Sequence, residues 1–291
     1  MQNNIYVIIV TYNGSKWIDK CFGSIASSNV PVQTIVIDNG SSDKTPEIIQ
    51  EKYPEVKVIK TGKNLGFGKA NNMGMKIALE NNADFVFLLN QDAWIENDTI
   101  ERLIDEYESS PNKKKIGILS PVPYNGSGKK YDYIFDKFYK DTIIKSQKIN
   151  KNTFEIQFIN AAAWLIPRKI LLEVGGFHPS FFIHGEDSNY IHRINALNKI
   201  TVINTKAVYY HDRDERKDGE HDISKRVYAF KNRIKTSLFN PNLNLIKSFY
   251  ENMILIIHNR KLNIQISLKM IFYNIKFLLI AVSNRNIHQE L

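Results

Sequence analysis

A single cysteine, Cys21, in 291 residues excludes an intramolecular disulfide and makes a reducing cytosol the expected compartment. Only Met1 to Asn4 precede the first apolar run, Ile5 to Val10, which lacks a basic leader and is too short for the core of a secretory signal. No unbroken apolar run approaches the roughly 20 residues needed to cross a bilayer, so a spanning segment is not expected. Acidic residues are in deficit, 30 against 39 basic, and the formal charge of +9 attracts anions. Nucleic acid, anionic lipid and phosphorylated small molecules all fit that charge, which does not choose among them. With 24% charged and 43% apolar residues the composition is that of a folded chain. Its length suits one large α/β domain with an appendage, or two smaller domains.

What the sequence does contain is a series of short β-branched runs that stop on Asn and Asp. The organising one is FVFLLNQDAW, Phe85 to Trp94, an apolar strand ending on Asn90, Gln91 and Asp92. A strand buried in a parallel sheet delivers its carboxyl end to the crevice where such sheets hold ligands. A carboxylate there either binds a hard cation or hydrogen-bonds a ribose, or merely starts the next turn. Ile5 to Thr11 reads as a central strand ending at Tyr12, Asn13 and Gly14, followed by a helical pattern over Lys16 to Ser27. Val32 to Ile37 ends in Asp38, Asn39 and later Asp43, and Pro46 fits a helix's first turn. After a third strand at Val56 to Ile59 comes NLGFGKANN, where Gly66 and Gly68 permit close backbone approach and a nearby helix start would face an anion. Lys69 is either a phosphate contact or a solvated helix lysine. A helix over Thr99 to Tyr107 and a strand at Ile116 to Leu119 follow. Strands alternating with helices predict a doubly wound α/β sheet, with Asn13, Asp38, Asp43 and Asp92 on one edge.

Pro121 to Asn152 carries an aromatic and lysine-rich stretch, YDYIFDKFYK, with little clean periodicity, and reads as a substrate-side excursion. Interleaved basic and aromatic residues also suit single-stranded nucleic acid, but no recognised RNA-binding motif accompanies them, and no nucleic-acid partner is expected. FEIQFINAAAWLIP gives two strand-like runs, in which Trp164 is either a sugar platform or core packing. GGFHPSFFIHGEDSNYIHR then places Glu186 and Asp187 in a helix's first turn, beside the aromatic Phe182. The acids either complement the helix dipole or supply a general base. Two further strands, Ile200 to Ile203 and Ala207 to Tyr210, deliver His211, a candidate metal ligand beside Asp92, just before the charged run DRDERKDGEH.

IVTYNG, VIDNGSSD, NLGFGKANN, LLNQDA, GGFHPSFFIHGEDSNYIHR and YAFKNR, in that order over roughly residues 5 to 235, resemble the family 2 glycosyltransferases of the GT-A fold. The likeness is to the bacterial rhamnosyl- and galactosyl-type enzymes of surface polysaccharide assembly. It implies a Rossmann-like, mostly parallel central sheet flanked by helices, and a cytoplasmic inverting hexosyltransferase that uses a dTDP- or UDP-sugar and Mg2+ or Mn2+. Thr11, Tyr12 and Asp38 fall on base-binding elements, Asn13, Asn64, Gly66 and Lys69 on the donor side, and Asn90, Gln91 and Asp92 on the D-x-D position, whose last acid holds the cation. Asp187 falls on the catalytic base and His211 on a position that often helps hold the metal, with Trp164, Phe182 and Glu186 on the acceptor side. Asn90 and Asn189 depart from the family, standing where acids are common, and weaken the expected grip on a cation.

Residues 236 to 291 lie beyond these motifs. Their basic residues, Lys247, Arg260, Lys261, Lys269, Lys276 and Arg285, face only Glu251 and Glu290 in charge. Interleaved with MILII and FLLIAV, they predict a helical extension that either lies on an anionic membrane surface, where a lipid-linked acceptor would be, or packs against the catalytic domain or a second copy. Two other functions share the predicted fold. A sugar nucleotidyltransferase would carry a glycine- and arginine-rich loop where this chain has TYNGSKW, and a noncatalytic sugar-nucleotide or glycan-binding module would need neither Asp187 nor Asp92.

Overall fold

The computed structural model describes residues 3–148, 152–212, 223–259, 264–286 and 288–291. β1 (Ile5–Thr11) is buried along almost its whole length, as the centre of a parallel sheet requires. A 3-10 turn at Ser15–Trp17 leads into α1 (Ile18–Ala26), followed by β2 (Gln33–Asp38), α2 (Thr45–Lys52), β3 (Lys57–Lys60) and α3 (Phe67–Glu80). β4 (Phe85–Asn90), β5 (Ala93–Ile95) and α4 (Thr99–Ser109) complete the N-terminal half. Then come β6 (Ile116–Asn125), α5 (Tyr133–Lys148), β7 (Thr153–Ile156), β8 (Ala163–Pro167), α6 (Arg168–Val174), α7 (Glu186–Ala196) and β9 (Ile200–His211). α8 (Ile223–Leu238), α9 (Leu245–His258) and α10 (Ile264–Asn284) end the chain.

The strands form one sheet in the order β3-β2-β1-β4-β8-β6-β9-β5, with β7 also paired to β9. β3, β2, β1 and β4 run parallel, and β8 joins β4 antiparallel. The helices on both faces and the C-terminal helices agree with the α/β GT-A architecture that the motifs imply. Alternation along the strands divides the core. Tyr6, Ile8, Ile35, Ile37, Val86 and Leu88 face α3, whereas Ile5, Val7, Ile9, Val36, Phe85 and Phe87 face α1, α2 and α4. A third cluster joins Phe181 to Ile234 and Leu238 of α8, Ile256 of α9 and Met270, Phe277 and Ala281 of α10.

Two sequence expectations need correction. The excursion at 121–152 is more ordered than its composition suggests: β6 continues to Asn125, and α5 buries Phe135 and Ile143. Lysines and exposed aromatics on its outer face dilute its periodicity. The two strands expected at 200–210 are one continuous strand, whose register with β6 shifts between Pro121 and Val122. Separately, α10 is the one described helix that is long and apolar enough, by length and composition alone, to cross a membrane. Lys269, Lys276 and scattered amides break its apolar run, which hides that property from a search for unbroken stretches. Most of the DRDERKDGEH run lies outside the described residues.

Trp164 is fully buried on β8, with its ring centroid 6.2 Å from Phe177 and 5.9 Å from Tyr190. Core packing is therefore its role, and it offers no face to a sugar. Trp164→Ala should lower unfolding stability in urea by about 3–5 kcal/mol, as large core truncations do. A loss under about 1 kcal/mol would contradict the packing.

Candidate active site

The carboxyl ends of β1, β2 and β4 meet at one level because the strands pair in register, Thr11 with Asp38 and Val10 with Asn90. A cleft of about 330 Å³ opens there. Of the residues singled out from the sequence, Tyr12, Asn64, Asn90, Gln91, Asp92, Glu186 and Asp187 line it, together with Asn39, Phe67, Asn160, Ala161, Ala162, Ile183 and His184. Thr11, Asn13, Asp38, Gly66, Lys69, Trp164, Phe182 and His211 are not part of its lining. A larger hollow of about 570 Å³ sits at the other end of the sheet, around Tyr6 and Gln33, with none of these groups in it.

Several of the outlying residues build the wall. Asp38 is 2% exposed, and its carboxylate accepts from the Thr11 hydroxyl (3.1 Å), the Ser41 hydroxyl (2.5 Å) and the Ser41 amide (3.1 Å). It thus holds the turn after β2 and leaves the next residue, Asn39, to face the cleft. Asn39 donates to Asn64 Oδ1 (3.0 Å) and accepts from the Leu65 amide (2.7 Å), joining the β2 end to the glycine loop. Asn13 adopts a left-handed backbone (φ 49°), and its side chain accepts from the Ser42 amide at 2.8 Å. Gln91 clamps Tyr12, accepting from its amide (2.9 Å) and donating to its carbonyl (3.1 Å). A Cβ on Gly14 would lie 2.1 Å from Gln91 Oε1, so a larger residue there would push that side chain off its clamp on Tyr12. Lys69 is exposed on α3.

The opposite wall is the segment entering α7. Gly66 has φ +83°, and a Cβ there would meet the Phe182 carbonyl at 2.3 Å, while the Phe67 amide donates to that carbonyl at 3.1 Å. The glycine loop and the aromatic segment therefore touch through backbone, leaving the Phe182 ring half exposed. His184 (φ 65°) and Gly185 (φ 96°) are both left-handed, which turns the chain so that α7 begins on Glu186 and Asp187. Inside α7 the buried Arg193 donates to the carbonyls of Val174 (2.8 Å) and Gly176 (2.6 Å) and to Asn189 Oδ1 (3.1 Å). Asn189, the second departure from the family pattern, also donates to the Phe239 carbonyl at 3.0 Å. Its amide is a tie between α7 and the end of α8, with one donor and one acceptor in use that a carboxylate could not supply together.

Glu186 is 6% exposed, and its Oε2 has no hydrogen-bond partner. Burial, and then the neighbouring Asp187 charge, push its carboxyl up to about 7. Lys235 of α8 lies within its electrostatic reach and donates to the Ser180 carbonyl at 2.6 Å, and burial lowers its ammonium to about 8. Across the cleft, His211 is 1% exposed with Nε2 3.2 Å from Asp92 Oδ1, and Nδ1 lies 4.0 Å from Asp132 Oδ2. Neither ring nitrogen makes an aligned hydrogen bond at these distances. A buried imidazole without hydrogen bonds, next to a cleft-lining carboxylate, fits a divalent cation as an O,N donor pair. Among the described residues no group of three or more His, Cys, Asp or Glu side chains that could hold a metal ion forms. Sequence reasoning missed Asn39, although it lies within the DNGSSD motif, and Asp132 and Lys235, which reach the site only through the fold.

Residues 6–175 match the model of a family described as glycosyl transferase family 2. The N-acetylglucosaminyl-diphospho-decaprenol L-rhamnosyltransferase of Mycobacterium tuberculosis is 23% identical over 238 residues, 72% of this chain and 76% of that protein. The poly(ribitol-phosphate) beta-N-acetylglucosaminyltransferase TarS of Staphylococcus aureus is 27% identical over 233 residues, and the match spans 76% of this chain but 37% of TarS. The crystal structure of TarS residues 1–349 with UDP superposes with a TM-score of 0.60 at 18% identity, covering 96% of this chain and 81% of that one. The Pyrobaculum calidifontis mannosyltransferase PcManGT, with GDP-Man and Mn2+, gives 0.59 at 16% identity, covering 98% and 74%.

The raised Glu186 carboxyl carries a stability signature. The folded state holds its proton between the ordinary carboxylate value and about 7, so stability falls as pH rises through that window and levels off above it. Lys235 titrates above this window. Glu186→Gln should abolish the slope and be more stable than wild type at pH 7.5, by on the order of 2–3 kcal/mol. Thermal unfolding at pH 5 to 8 checks it, and parallel profiles for the two proteins would contradict the assignment.

Proposed function

Because the chain belongs to glycosyl transferase family 2, we propose that it is an inverting hexosyltransferase acting on a nucleoside diphosphate sugar. The observation that carries this reading is the pairing, across one cleft, of Asp92 at the β4 end with Asp187 in the first turn of α7. One wall suits a nucleotide. Tyr12 and Asn39 border the space for the base, and the Asn90 amide is a ribose partner. Thr11, Asp38 and Asn13 act from behind by holding that wall's turns.

Asp92 and His211 are the residues that would hold Mg2+ or Mn2+, which when bound neutralises charge on the leaving diphosphate. Asp187 accepts the proton of the acceptor hydroxyl as that oxygen bonds to the anomeric carbon. The bond from that carbon to the diphosphate oxygen breaks, and a single displacement inverts the centre. Left-handed backbone at His184 and Gly185, with the Arg193 ties behind, orients Asp187 for this step. Glu186, raised toward neutrality, can donate to an acceptor oxygen on the same side. Relatives named as an L-rhamnosyltransferase and as a dTDP-rhamnosyl transferase, and a neighbour solved with UDP, support a dTDP- or UDP-sugar donor such as rhamnose, galactose or glucose. The proposed acceptor is a glycan or lipid-linked molecule of surface polysaccharide synthesis, as in capsule or O-antigen assembly, in line with the diphospho-decaprenol and poly(ribitol-phosphate) of the relatives' names. The one buried Cys21 suits a cytoplasmic site of action.

Asp187→Asn should leave nucleotide affinity within about two-fold and lower transfer by roughly 10²- to 10⁴-fold, the usual contribution of a general base. Undiminished transfer would overturn the assignment.

A further inference from the structure

α9 and α10 each carry two apolar stripes, and the fold uses one of each. On α10, Met270, Asn274, Phe277 and Ala281 are buried toward α8 and α9. Leu268, Phe272, Ile275, Leu279 and Val282 repeat at four- and three-residue steps on the far side and are 45% to 71% exposed. α9 repeats the arrangement: Ser248, Asn252 and Ile256 face inward, while Ile246, Tyr250, Ile254 and Ile257 face out. Scattered exposed apolar residues are ordinary on a protein surface, but two regular stripes on helices that pack against each other call for a cover.

The charges beside that face indicate which cover. Lys269 and Lys276 are exposed on α10, which has no acidic residue, and Lys247 is exposed on α9, where Glu251 is the only acid and lies 3.8 Å from it. The sequence between the helices adds Arg260 and Lys261. A second copy of the chain would bring these cations against their own kind. We propose that the outer face of α9 and α10 docks on the surface of an anionic lipid bilayer, with the apolar stripes among the acyl chains and the lysines at the headgroups.

The helices lie along the surface and do not cross it. Asn252 Nδ2 donates to Asn274 Oδ1 (3.2 Å) and Asn274 Nδ2 to the Phe249 carbonyl (3.1 Å), a buried polar tie that a spanning α10 would have to break. Docking also bears on the cleft. α8 packs on the same pair of helices and holds the cleft segment through Tyr228 Oη to the Ile183 carbonyl (2.7 Å) and Lys235 Nζ to the Ser180 carbonyl (2.6 Å). A bound bilayer therefore lies within one helix layer of the segment that leads into Glu186 and Asp187.

The test is co-sedimentation of the full chain with phosphatidylcholine vesicles, with and without phosphatidylglycerol, at low and high salt. Wild type should bind the anionic vesicles and be weakened by salt. K269Q/K276Q should bind roughly 30-fold more weakly, at about five-fold per lysine near an anionic surface. L268S/F272S/L279S should lose binding, with folding checked by circular dichroism, and the lysine pair keeps the test decisive should that variant misfold. Absence of wild-type binding at low salt overturns the proposal. So does a dimer, seen by sedimentation velocity without lipid, that the triple variant dissociates, because the face would then belong to a second copy. The outcome is independent of the reaction: vesicle binding without sugar transfer would count against the proposed function alone, and transfer without vesicle binding against this surface alone.

Discussion

In-register pairing of β1 with β2 on one side and β4 on the other is the constraint on which the cleft depends. It sets Thr11 beside Asp38 and Val10 beside Asn90, so that the polar ends of the three strands stop together. A one-residue slip of β4 would turn Leu88 and Leu89 to the wrong cores and carry Asn90 and Asp92 away from the β2 turn. The hydrophobic alternation prevents the slip, because each face of the sheet has its own helices to fill. Precision at the site is thus inherited from burial far from it, and the Gln91 clamp on Tyr12 and the Asp38 hub finish the work locally.

The other wall obeys a different rule. There the chain is irregular, and its position comes from polar ties to backbone carbonyls: Arg193 to Val174 and Gly176, Asn189 to Phe239, Lys235 to Ser180. These link the acidic pair to the C-terminal helices, so the third core supports the cleft as well as itself. A raised Glu186 and a left-handed His184 are tolerated because that support surrounds them.

Much of this was legible in the sequence because strand ends and turn residues announce themselves locally. NQD after FVFLL, DNGSSD after TIVI, the glycine loop and the GED step into a helix all stand where the motifs put them. Roles within those motifs were harder to read, because adjacent residues point to opposite sides. Asp38 turned inward to Thr11 and Ser41, and Asn39 took the cleft position. Trp164 lies on a strand buried on both faces, where alternation gives no hint of exposure. α5 was obscured because its outer face mixes aromatics with lysines, and Asp132 approaches His211 across 79 positions of sequence, which no local pattern records.

In the proposed reaction the carboxyl ends of the strands bind a nucleoside diphosphate, with a cation at Asp92 and His211. Calorimetric titration of UDP, dTDP, GDP and CDP, each with and without Mn2+, tests it on wild type and on Asp92→Ala. One nucleotide should bind wild type more tightly with Mn2+, and Asp92→Ala should lose the Mn2+-dependent part. An Mn2+ effect of the same size in both proteins, or no binding of any of the four nucleotides to wild type, would contradict it.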